Sequence, residues 1–276
     1  MNKELSVVIV NYNVKPLLRL CVTSLYEHIR GISFEVVVVD NHSTDGSNEM
    51  IRDEFPQVKL IKNNYNAGFA HANNHGIAVS EGNCILVLNP DTVFIDDSFF
   101  GMLDFVKEKG GNVLVAPRLL NTDGSLQNNV WRDLTVGFVI LELFFLDRLF
   151  TFNYPIENYT QPQRVDYVTG AAMLFSKNLV ERVGVFRPVL FWVEDVDLCF
   201  RIRQNGGEVY YFPGTSIVHH GGQSSRKELQ LFYSNANLSK VKYFRKKGRL
   251  YGLIGGLAVL GFVLSRLLFF FIFVSG

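Results

Sequence analysis

The sequence has no excess of charge of either sign, since 27 Lys and Arg residues are matched by 26 Asp and Glu residues, giving a formal net charge of +1. Proteins that bind the phosphate backbone of nucleic acid generally carry a basic surface. The sequence also lacks the Cys and His spacing of zinc fingers and the aromatic signature of RNA-binding sheets. We therefore do not expect nucleic acid as a partner.

Cysteine is scarce, and Cys21, Cys84 and Cys199 lie far apart in apolar surroundings. An odd number of separated cysteines is typical of buried thiols in a reducing compartment, rather than of disulfides or a metal cluster. The 276 residues are 48% hydrophobic, which is enough to form a sizeable core. We expect one large cytosolic domain, with or without an appendage.

No long hydrophobic run occurs near the amino terminus, where the apolar stretch LSVVIV is too short for a secretory leader. Residues 251–274, by contrast, form an apolar stretch of about membrane-spanning length, broken by Arg266. The basic sequence KVKYFRKKGR, residues 240–249, precedes it and is typical of a cytoplasmic membrane flank. We expect this segment to attach the chain to a membrane, either across the bilayer or in its interface. The alternative is a buried C-terminal helix.

Short β-branched runs alternate with helical patterns in the first half of the chain. The continuous apolar runs are typical of strands buried on both faces of a parallel sheet. Strands are predicted over residues 6–10, 35–40, 58–61 and 84–89, with helices over 15–29 and 47–55. Further strands are predicted over residues 112–117, 171–175 and 208–213. This βαβαβ series predicts an α/β fold with a mostly parallel central sheet and helices on both faces.

A second apolar segment, residues 136–150, reads VGFVILELFFLDRLF. Glu142, Asp147 and Arg148 make it too charged to span a bilayer. Two interpretations remain open: an amphipathic helix that lies on a membrane, or a helix packed on the core.

Polar loops follow the first four predicted strands, at residues 11–13, 40–47, 63–76 and 89–92. In open α/β sheets, ligands bind beyond the carboxyl ends of the strands. The first loop has no G-x-G-x-x-G pattern, which argues against a dinucleotide cofactor. The carboxylates, amides and glycines of these loops instead favour a pocket for a nucleotide or a sugar.

Three positions near these loops could bind a nucleotide or a metal. Asp40 ends an apolar strand and could accept hydrogen bonds from a base or a ribose, or could serve only as a turn residue. Asp91 follows LVLNP and could hold a divalent metal beside a diphosphate, or could be a structural turn residue. His219 and His220 follow the predicted strand SIV, and at most one would face the metal because neighbouring strand residues point to opposite faces.

The stretch FWVEDVDLCF concentrates the acids Glu194, Asp195 and Asp197 at the predicted start of a helix. Acids in a first turn favour the positive end of the helix dipole, which explains one or two of them. Helical spacing of the apolar residues predicts one buried face, with Arg201 and Arg203 in solvent. The remaining acid is a candidate for chemistry.

Seven motifs occur in order along the chain: VVIVNYN, VVVVDNHSTDGS, NAGFAHANN, LVLNPDT, YVTGAAMLF, EDVDLCFRI and IVHHGG. In this order they resemble the family 2 glycosyltransferases of GT-A fold, and among them the bacterial rhamnosyltransferase-like branch. The resemblance covers residues 4–245. It implies a GT-A domain over residues 1–245, with a nucleotide-sugar half over about 1–115 and an acceptor half over about 116–245. A membrane-anchoring segment over 246–276 then follows.

The resemblance implies roles in donor binding. Asp40 matches the acid that recognises the nucleotide base, and Asn11 and Asn13 would line the same pocket. Further residues expected to contact the sugar nucleotide are Asn66, Gly68, Asn73 and Asp91.

Asp91 also matches the second aspartate of the family's D-x-D metal motif. Asn89 stands where the first aspartate would be, which is a departure from that motif. The resemblance still implies a divalent cation, Mg²⁺ or Mn²⁺, that rests on Asp91 and His219.

On the acceptor side, the resemblance places Gly170 and Ala171 along the cleft and matches Asp195 to the catalytic base. Glu194 would orient Asp195 or bind an acceptor hydroxyl. In an inverting transfer a carboxylate takes the proton of the attacking hydroxyl as the new bond forms. Metal and base therefore have separate tasks.

The expected function is inverting transfer of rhamnose or a hexose from a UDP-, dTDP- or GDP-sugar to a lipid-linked or cell-surface polysaccharide acceptor. The expected location is the cytoplasmic face of the bacterial inner membrane. Two alternatives remain: direct transfer to polyprenyl phosphate, and a catalytically inactive scaffold that binds nucleotide sugar.

Overall fold

The β-branched runs form the strands of a central sheet in the computed structural model, which describes residues 3–144, 154–221 and 229–273. The strands are β1 Leu5–Asn11, β2 Phe34–Asp40, β3 Lys59–Lys62, β4 Cys84–Leu88, β5 Thr92–Phe94, β6 Val113–Leu120, β7 Leu126–Gln127, β8 Val130–Trp131, β9 Gln163–Arg164, β10 Tyr167–Val168, β11 Ala172–Ser176 and β12 Glu208–His219. The helices are α1 Lys15–His28, α2 Ser47–Glu54, α3 Phe69–Ala78, α4 Phe99–Glu108, α5 Val136–Leu143, α6 Lys177–Val183, α7 Glu194–Gln204, α8 Leu229–Lys246 and α9 Arg249–Phe273. A 3₁₀ turn covers Ile156–Asn158.

The sheet runs in the order β3-β2-β1-β4-β11-β6-β12-β5, with β7 beside β6 and β9 beside β12. The first four strands of this order are parallel to one another. β11 enters antiparallel between β4 and β6, and β12 is again parallel to β6. The carboxyl ends of β1, β2 and β4 and the amino end of β11 therefore meet at one edge of the sheet.

Helices cover both faces of the sheet because successive strand residues point to opposite faces. On one face, Val7 and Val36 belong to an apolar cluster that includes side chains of α1 and α4. On the other face, Val8 and Val87 pack with side chains of α3, α6 and α7. Burial on both faces explains the unbroken apolar runs, and it confirms the predicted α/β sandwich. All three cysteines are buried free thiols, as predicted.

The C-terminal helices α8 and α9 pack together and against α5 in a third apolar cluster. Tyr243 and Phe244 of α8 are buried there with Val139 of α5 and Val259 of α9. A Cβ at Gly255 would lie 2.5 Å from Cδ2 of Phe244, so glycine permits the close approach of the two helices. Within residues 3–144, 154–221 and 229–273, no helix has the apolar length that crossing a bilayer requires.

Residues 136–143 of the second apolar segment form α5, which buries one side against α9. Val139 is fully buried, whereas Ile140 is 38% exposed. The Thr135 side chain caps the helix by accepting a hydrogen bond from Phe138 N at 3.1 Å. This is the core-packed interpretation for the described part of the segment. Residues 145–150 lie outside the described residues.

The prediction that Arg201 stays in solvent is wrong. Its guanidinium is buried and donates to Asp197 at 2.8 Å, and also to the carbonyl oxygens of residues 183–185 at 2.6 to 2.8 Å. Arg187 completes the site with a 3.0 Å contact to the other Asp197 oxygen. Helical spacing could not predict this, because the carbonyl acceptors come from the last residue of α6 and the loop that follows it. Arg203 is partly buried, close to Asp133 and Asp166.

We predict that Asp197→Ala destabilises the fold by about 3 to 5 kcal/mol, because it leaves the buried Arg201 charge without its carboxylate. Chemical denaturation measures this loss. The matched control is Glu49→Ala, which breaks the exposed ion pair with Arg52 and is expected to cost less than about 1 kcal/mol. Equal losses in the two variants would contradict the assignment of a buried ion pair.

Candidate active site

The candidate site lies at the sheet edge where β1, β2 and β4 end. Asn11 and Asp40 are the last residues of β1 and β2 and pair directly in the parallel register. Asn89 follows β4, and its N–H donates to Ala171 O at 2.9 Å, just before β11 begins. The topology thus joins residues from both halves of the chain at the position where α/β folds bind ligands.

Asp40 is buried and organises the turn that follows β2. One of its oxygens accepts from Asn11 Nδ2 at 2.8 Å, and the other from Ser43 N at 2.9 Å and Asn48 Nδ2 at 3.0 Å. Ser43 Oγ in turn accepts from Asn13 N at 3.0 Å. Asn11 Oδ1 is buried without a hydrogen-bond partner within the described structure, so the pocket keeps one acceptor for a ligand N–H.

Asn41, which the sequence analysis did not single out, holds the loop before α3. Its Oδ1 accepts from Asn63 Nδ2 at 2.9 Å and Ala67 N at 3.3 Å, while its Nδ2 donates to Asn66 Oδ1 at 3.1 Å. Asn66 Oδ1 also accepts from Gly68 N. Gly68 has φ +78°, a backbone conformation that favours glycine.

Asn73, a further predicted donor contact, lies inside α3 and is buried. Its Nδ2 donates to Phe69 O at 2.9 Å, whereas its Oδ1 has no partner in the part of the chain that the structure describes. The side-chain NH₂ of Asn73 is therefore used within α3, while its carbonyl oxygen can still accept a hydrogen bond.

Asp91 and His219 meet because β5 pairs antiparallel with β12, which places His219 opposite Thr92. His219 Nε2 lies 3.3 Å from Asp91 Oδ1, and both side chains are largely buried. His220 instead donates its backbone N–H to Asp91 O at 2.9 Å. Of the two neighbouring histidines, His219 is thus the one whose ring faces the aspartate.

Gln127 sets the orientation of His219. Its Oε1 lies 2.6 Å from His219 Nδ1, while its Nε2 donates to Asn121 Oδ1 at 2.9 Å. The ring therefore donates from Nδ1, and in the neutral tautomer that carries its hydrogen there, Nε2 keeps a lone pair to which Asn89 Nδ2 can donate at 3.3 Å. This lone pair and Asp91 Oδ1 border the same space, with no hydrogen atom between them in this tautomer. Sequence reasoning missed Gln127, because a short irregular strand gives no signal for the role.

The turn at Gly170 and Ala171 connects this cluster to the acid pair of α7. Ala171 O accepts from Asn89 N, and Gly170 N donates to Asp195 Oδ2 at 3.2 Å. A Cβ at Gly170 would lie 2.8 Å from Cζ of Phe69, so the position requires glycine. Asn89, two residues before Asp91, and Asp195 thus both form hydrogen bonds with this one turn.

Glu194 is buried and Asp195 is half-buried, and neither acid has a basic partner among the described residues. Asp195 Oδ1 accepts from Val196 N at 2.8 Å, whereas Glu194 Oε2 has no partner in the described structure. Burial raises the pKa of Asp195, and burial together with the Asp195 charge raises the pKa of Glu194. Carboxyl groups with raised pKa values are suited to proton transfer near neutral pH.

Trp192, two residues before Glu194, adopts φ +67° and is 61% exposed. Such a left-handed conformation costs a non-glycine residue on the order of 1 to 3 kcal/mol and is often found at functional sites. Its sequence neighbourhood does not require this conformation, so it could not have been predicted. Asp197, the third acid of the stretch, is neutralised by Arg187 and Arg201 and lies in the structural ion pair instead.

Residues 6–184 match the model of the family described as Glycosyl transferase family 2. The chain belongs to this family. The match covers more than half of the chain and includes the polar loops after β1, β2 and β4, Asp91 and the Gly170 turn. It confirms the family resemblance and identifies the protein as a glycosyltransferase, an enzyme that transfers a sugar.

The glycosyltransferase is 27% identical over 246 residues to the N-acetylglucosaminyl-diphospho-decaprenol L-rhamnosyltransferase of Mycobacterium tuberculosis, covering 83% of this chain and 80% of that protein. It is 26% identical over 180 residues to the rhamnosyltransferase WbbL of Escherichia coli K12, covering 61% of this chain and 65% of that protein. The predicted likeness to bacterial rhamnosyltransferases is therefore confirmed.

Solved structures of related fold include GalNAc-T7 with UDP, GalNAc and Mn²⁺, with a TM-score of 0.62 at 18% identity over 89% of this chain and 50% of that chain. The mannosyltransferase PcManGT of Pyrobaculum calidifontis, in complex with GDP-Man and Mn²⁺, has a TM-score of 0.60 at 16% identity over 96% of this chain and 74% of that chain. These similarities confirm the predicted GT-A-like α/β fold.

We predict that Glu194→Gln stabilises the glycosyltransferase most at alkaline pH. A carboxyl group whose pKa is raised on folding binds its proton more tightly in the folded state, so the free energy of unfolding falls as pH rises through that pKa. The Gln side chain does not ionise, so it adds no such pH dependence to the free energy of unfolding. Thermal unfolding of both proteins between about pH 5.5 and about pH 9 tests this, and a Tm difference independent of pH would contradict it.

Proposed function

We propose that this enzyme is an inverting glycosyltransferase that moves rhamnose or a hexose from a nucleoside diphosphate donor to a lipid-linked or cell-surface polysaccharide acceptor. We place it at the cytoplasmic face of the bacterial inner membrane. The observation that supports this best is that the turn at Gly170 and Ala171 forms hydrogen bonds both with Asn89, two residues before Asp91, and with Asp195. That arrangement separates leaving-group chemistry from nucleophile activation.

Asp195 is the proposed base. In an inverting transfer, an acceptor hydroxyl attacks the anomeric carbon as the bond to the diphosphate breaks, and its proton passes to a carboxylate. The N–H groups of Gly170 and Val196 hold the two oxygens of Asp195 in place. Glu194, whose raised pKa favours the protonated form, would donate a hydrogen bond to an acceptor oxygen.

Asp91 and His219 are the proposed ligands of a divalent cation. An aspartate oxygen and an imidazole lone pair 3.3 Å apart match neighbouring ligands of Mg²⁺ or Mn²⁺, which lie about 3 Å apart at ordinary bond lengths. The described residues contain no group of three or more His, Cys, Asp or Glu side chains suited to a metal, so diphosphate oxygens and water would complete the coordination. The bound cation supplies positive charge beside the departing diphosphate.

The M. tuberculosis relative supports a rhamnosyl donor and a lipid diphosphate acceptor as the first pair to test, because its name specifies both. The donor panel is UDP-, dTDP- and GDP-sugars with and without Mg²⁺ or Mn²⁺, and the acceptors are N-acetylglucosaminyl-diphospho-lipid and polyprenyl phosphate. Donor turnover with one acceptor identifies the reaction. Donor binding without turnover across the panel would favour the inactive scaffold instead.

We predict that Asp195→Asn lowers turnover by a factor on the order of 10² to 10⁴ and leaves donor affinity nearly unchanged. The amide keeps the shape of the side chain but cannot take the proton of the acceptor. The control is Asp53→Asn, the same change at an exposed position. Turnover is measured by nucleoside diphosphate release and affinity by calorimetry. Comparable turnover in Asp195→Asn and wild type would rule out the assignment.

We predict that Gln127→Leu weakens Mn²⁺ binding by roughly 10- to 100-fold. Without the Oε1 acceptor, nothing holds the hydrogen of the His219 ring on Nδ1, so Nε2 is no longer kept free to bind the metal. Electron paramagnetic resonance of free Mn²⁺, in the presence of UDP, dTDP or GDP, measures this without turnover. The control is Gln161→Leu at an exposed loop position. Unchanged Mn²⁺ affinity in Gln127→Leu would contradict the role of Gln127.

A further inference from the structure

Helix α9 presents an unusual apolar face to solvent. Its exposed members are spaced by three or four residues along most of the described helix: Leu250, Leu253, Ile254, Leu257, Leu260 and Leu264, each between 45% and 70% exposed. We call these six residues the leucine face. Contiguous exposed apolar surface of this kind marks an interaction site in a folded protein. The opposite side of α9 packs on α5 and α8.

A groove of about 610 Å³ runs beside the leucine face, between α8 and α9. Val241, Gly252 and Gly256 are among its lining residues, together with three leucines of the leucine face. Arg245 and Arg249 also line it. The groove therefore brings two cations together with an apolar channel, which matches a molecule with an anionic head and a hydrocarbon chain.

The two arginines differ from neighbouring basic residues that serve the fold. Lys240 forms an ion pair with Glu142, and Lys247 with Asp133. The guanidinium groups of Arg245 and Arg249 have no hydrogen bond or ion pair in the part of the chain that the structure describes, and both residues are exposed. The sequence contains no acid after Glu228, so the C-terminal helices supply no carboxylate of their own.

We propose that the leucine face and the α8–α9 groove dock the enzyme on an anionic lipid bilayer. Arg245 and Arg249 bind headgroup phosphates through charge-assisted hydrogen bonds, while the leucines enter the boundary between headgroups and acyl chains. The helix lies in the interface with its packed side on the protein. This differs from a spanning segment, because α5 and α8 cover one side of α9.

Docking in this way places the acid pair near the lipid surface. Val193 and Val196, which flank Glu194 and Asp195, share an apolar cluster with buried residues of α8 and α9. Phe191 N also donates to Ser239 Oγ of α8 at 2.8 Å. The docked helices and the start of α7 are therefore one packed unit, which would present the catalytic acids to an acceptor held by the membrane.

A second copy of the chain fits this surface less well than a bilayer. An isologous dimer would pair the patch with itself. Such a dimer would cover the leucine face, but neither that face nor the α8–α9 groove contains a carboxylate that could pair with Arg245 or Arg249 of the other copy. Charge complementarity therefore favours anionic lipid over self-association.

The test is co-sedimentation of the full chain with vesicles of phosphatidylcholine alone or with about 30% phosphatidylglycerol, a composition that gives an anionic surface. We expect binding to the anionic vesicles, weakened by salt. Arg245→Gln with Arg249→Gln should lower the partition coefficient roughly tenfold or more. Leu253→Ser with Leu257→Ser should lower it as well, without a change in charge.

The matched control is Arg30→Gln with Arg52→Gln, which removes the same charge from exposed positions outside the C-terminal helices. All variants are first checked for unchanged Tm. Equal binding to both vesicle types, equal losses in the two arginine pairs, or a stable dimer that binds no vesicles would overturn the proposal. The inference rests on the proposed function for its purpose, but the assay contains neither donor nor acceptor, so the two can fail separately.

Discussion

The pairing of β11 with β4 is the constraint on which the candidate active site depends. β11 begins where β4 ends because the two strands are antiparallel. The hydrogen bond from Asn89 N to Ala171 O follows from this pairing, and it holds the Gly170 turn at the same edge as the donor loops. Gly170 N can then reach Asp195 on α7. Residues from the first and second halves of the chain therefore meet at this one turn.

The absence of a basic partner among the described residues distinguishes the acids that could act in catalysis from the acid that stabilises the fold. Asp197 is buried and is neutralised by Arg187 and Arg201. Glu194 and Asp195, three and two residues before Asp197, lack such partners among the described residues, and their pKa values are raised. The same helix start therefore holds both a structural ion pair and a candidate base, because neighbouring residues on a helix face different surroundings.

The C-terminal helices show the same contrast among basic residues. Lys240 of α8 and Lys247, the residue after α8, form ion pairs with Glu142 and Asp133 and so attach this helix to the rest of the domain. Arg245 and Arg249 instead line an open groove beside exposed leucines. Because this unit packs against the residues around the acid pair, attachment to a lipid surface and access of the acceptor would be linked mechanically.

Local sequence patterns were sufficient for the family, for strands β1, β2, β3, β4, β6, β11 and the first half of β12, and for helices α1, α2 and α7. They did not predict α3, which begins inside the predicted polar loop over residues 63–76, nor α4, α6, α8 and the short strands β5 and β7 to β10. Apolar β-branched runs correspond to β1, β2 and β4, since burial on both faces demands them. The polar loops after these strands lie at one edge of the sheet, as predicted, because parallel strands bring their carboxyl ends together. That a ligand binds at this edge stays a prediction. The helix that starts at Glu194 was also predictable from apolar spacing and first-turn acids.

Tertiary structure decided which polar residues meet and which are neutralised. The sequence by itself determined the α/β class and the order of the motifs, because hydrophobic periodicity and strand-end polarity are local properties. It could not indicate that Gln127 orients His219, that Asn41 holds the donor loop, or that Arg201 is buried. Each of these depends on partners distant in the chain, which only the sheet order and helix packing bring within hydrogen-bonding distance.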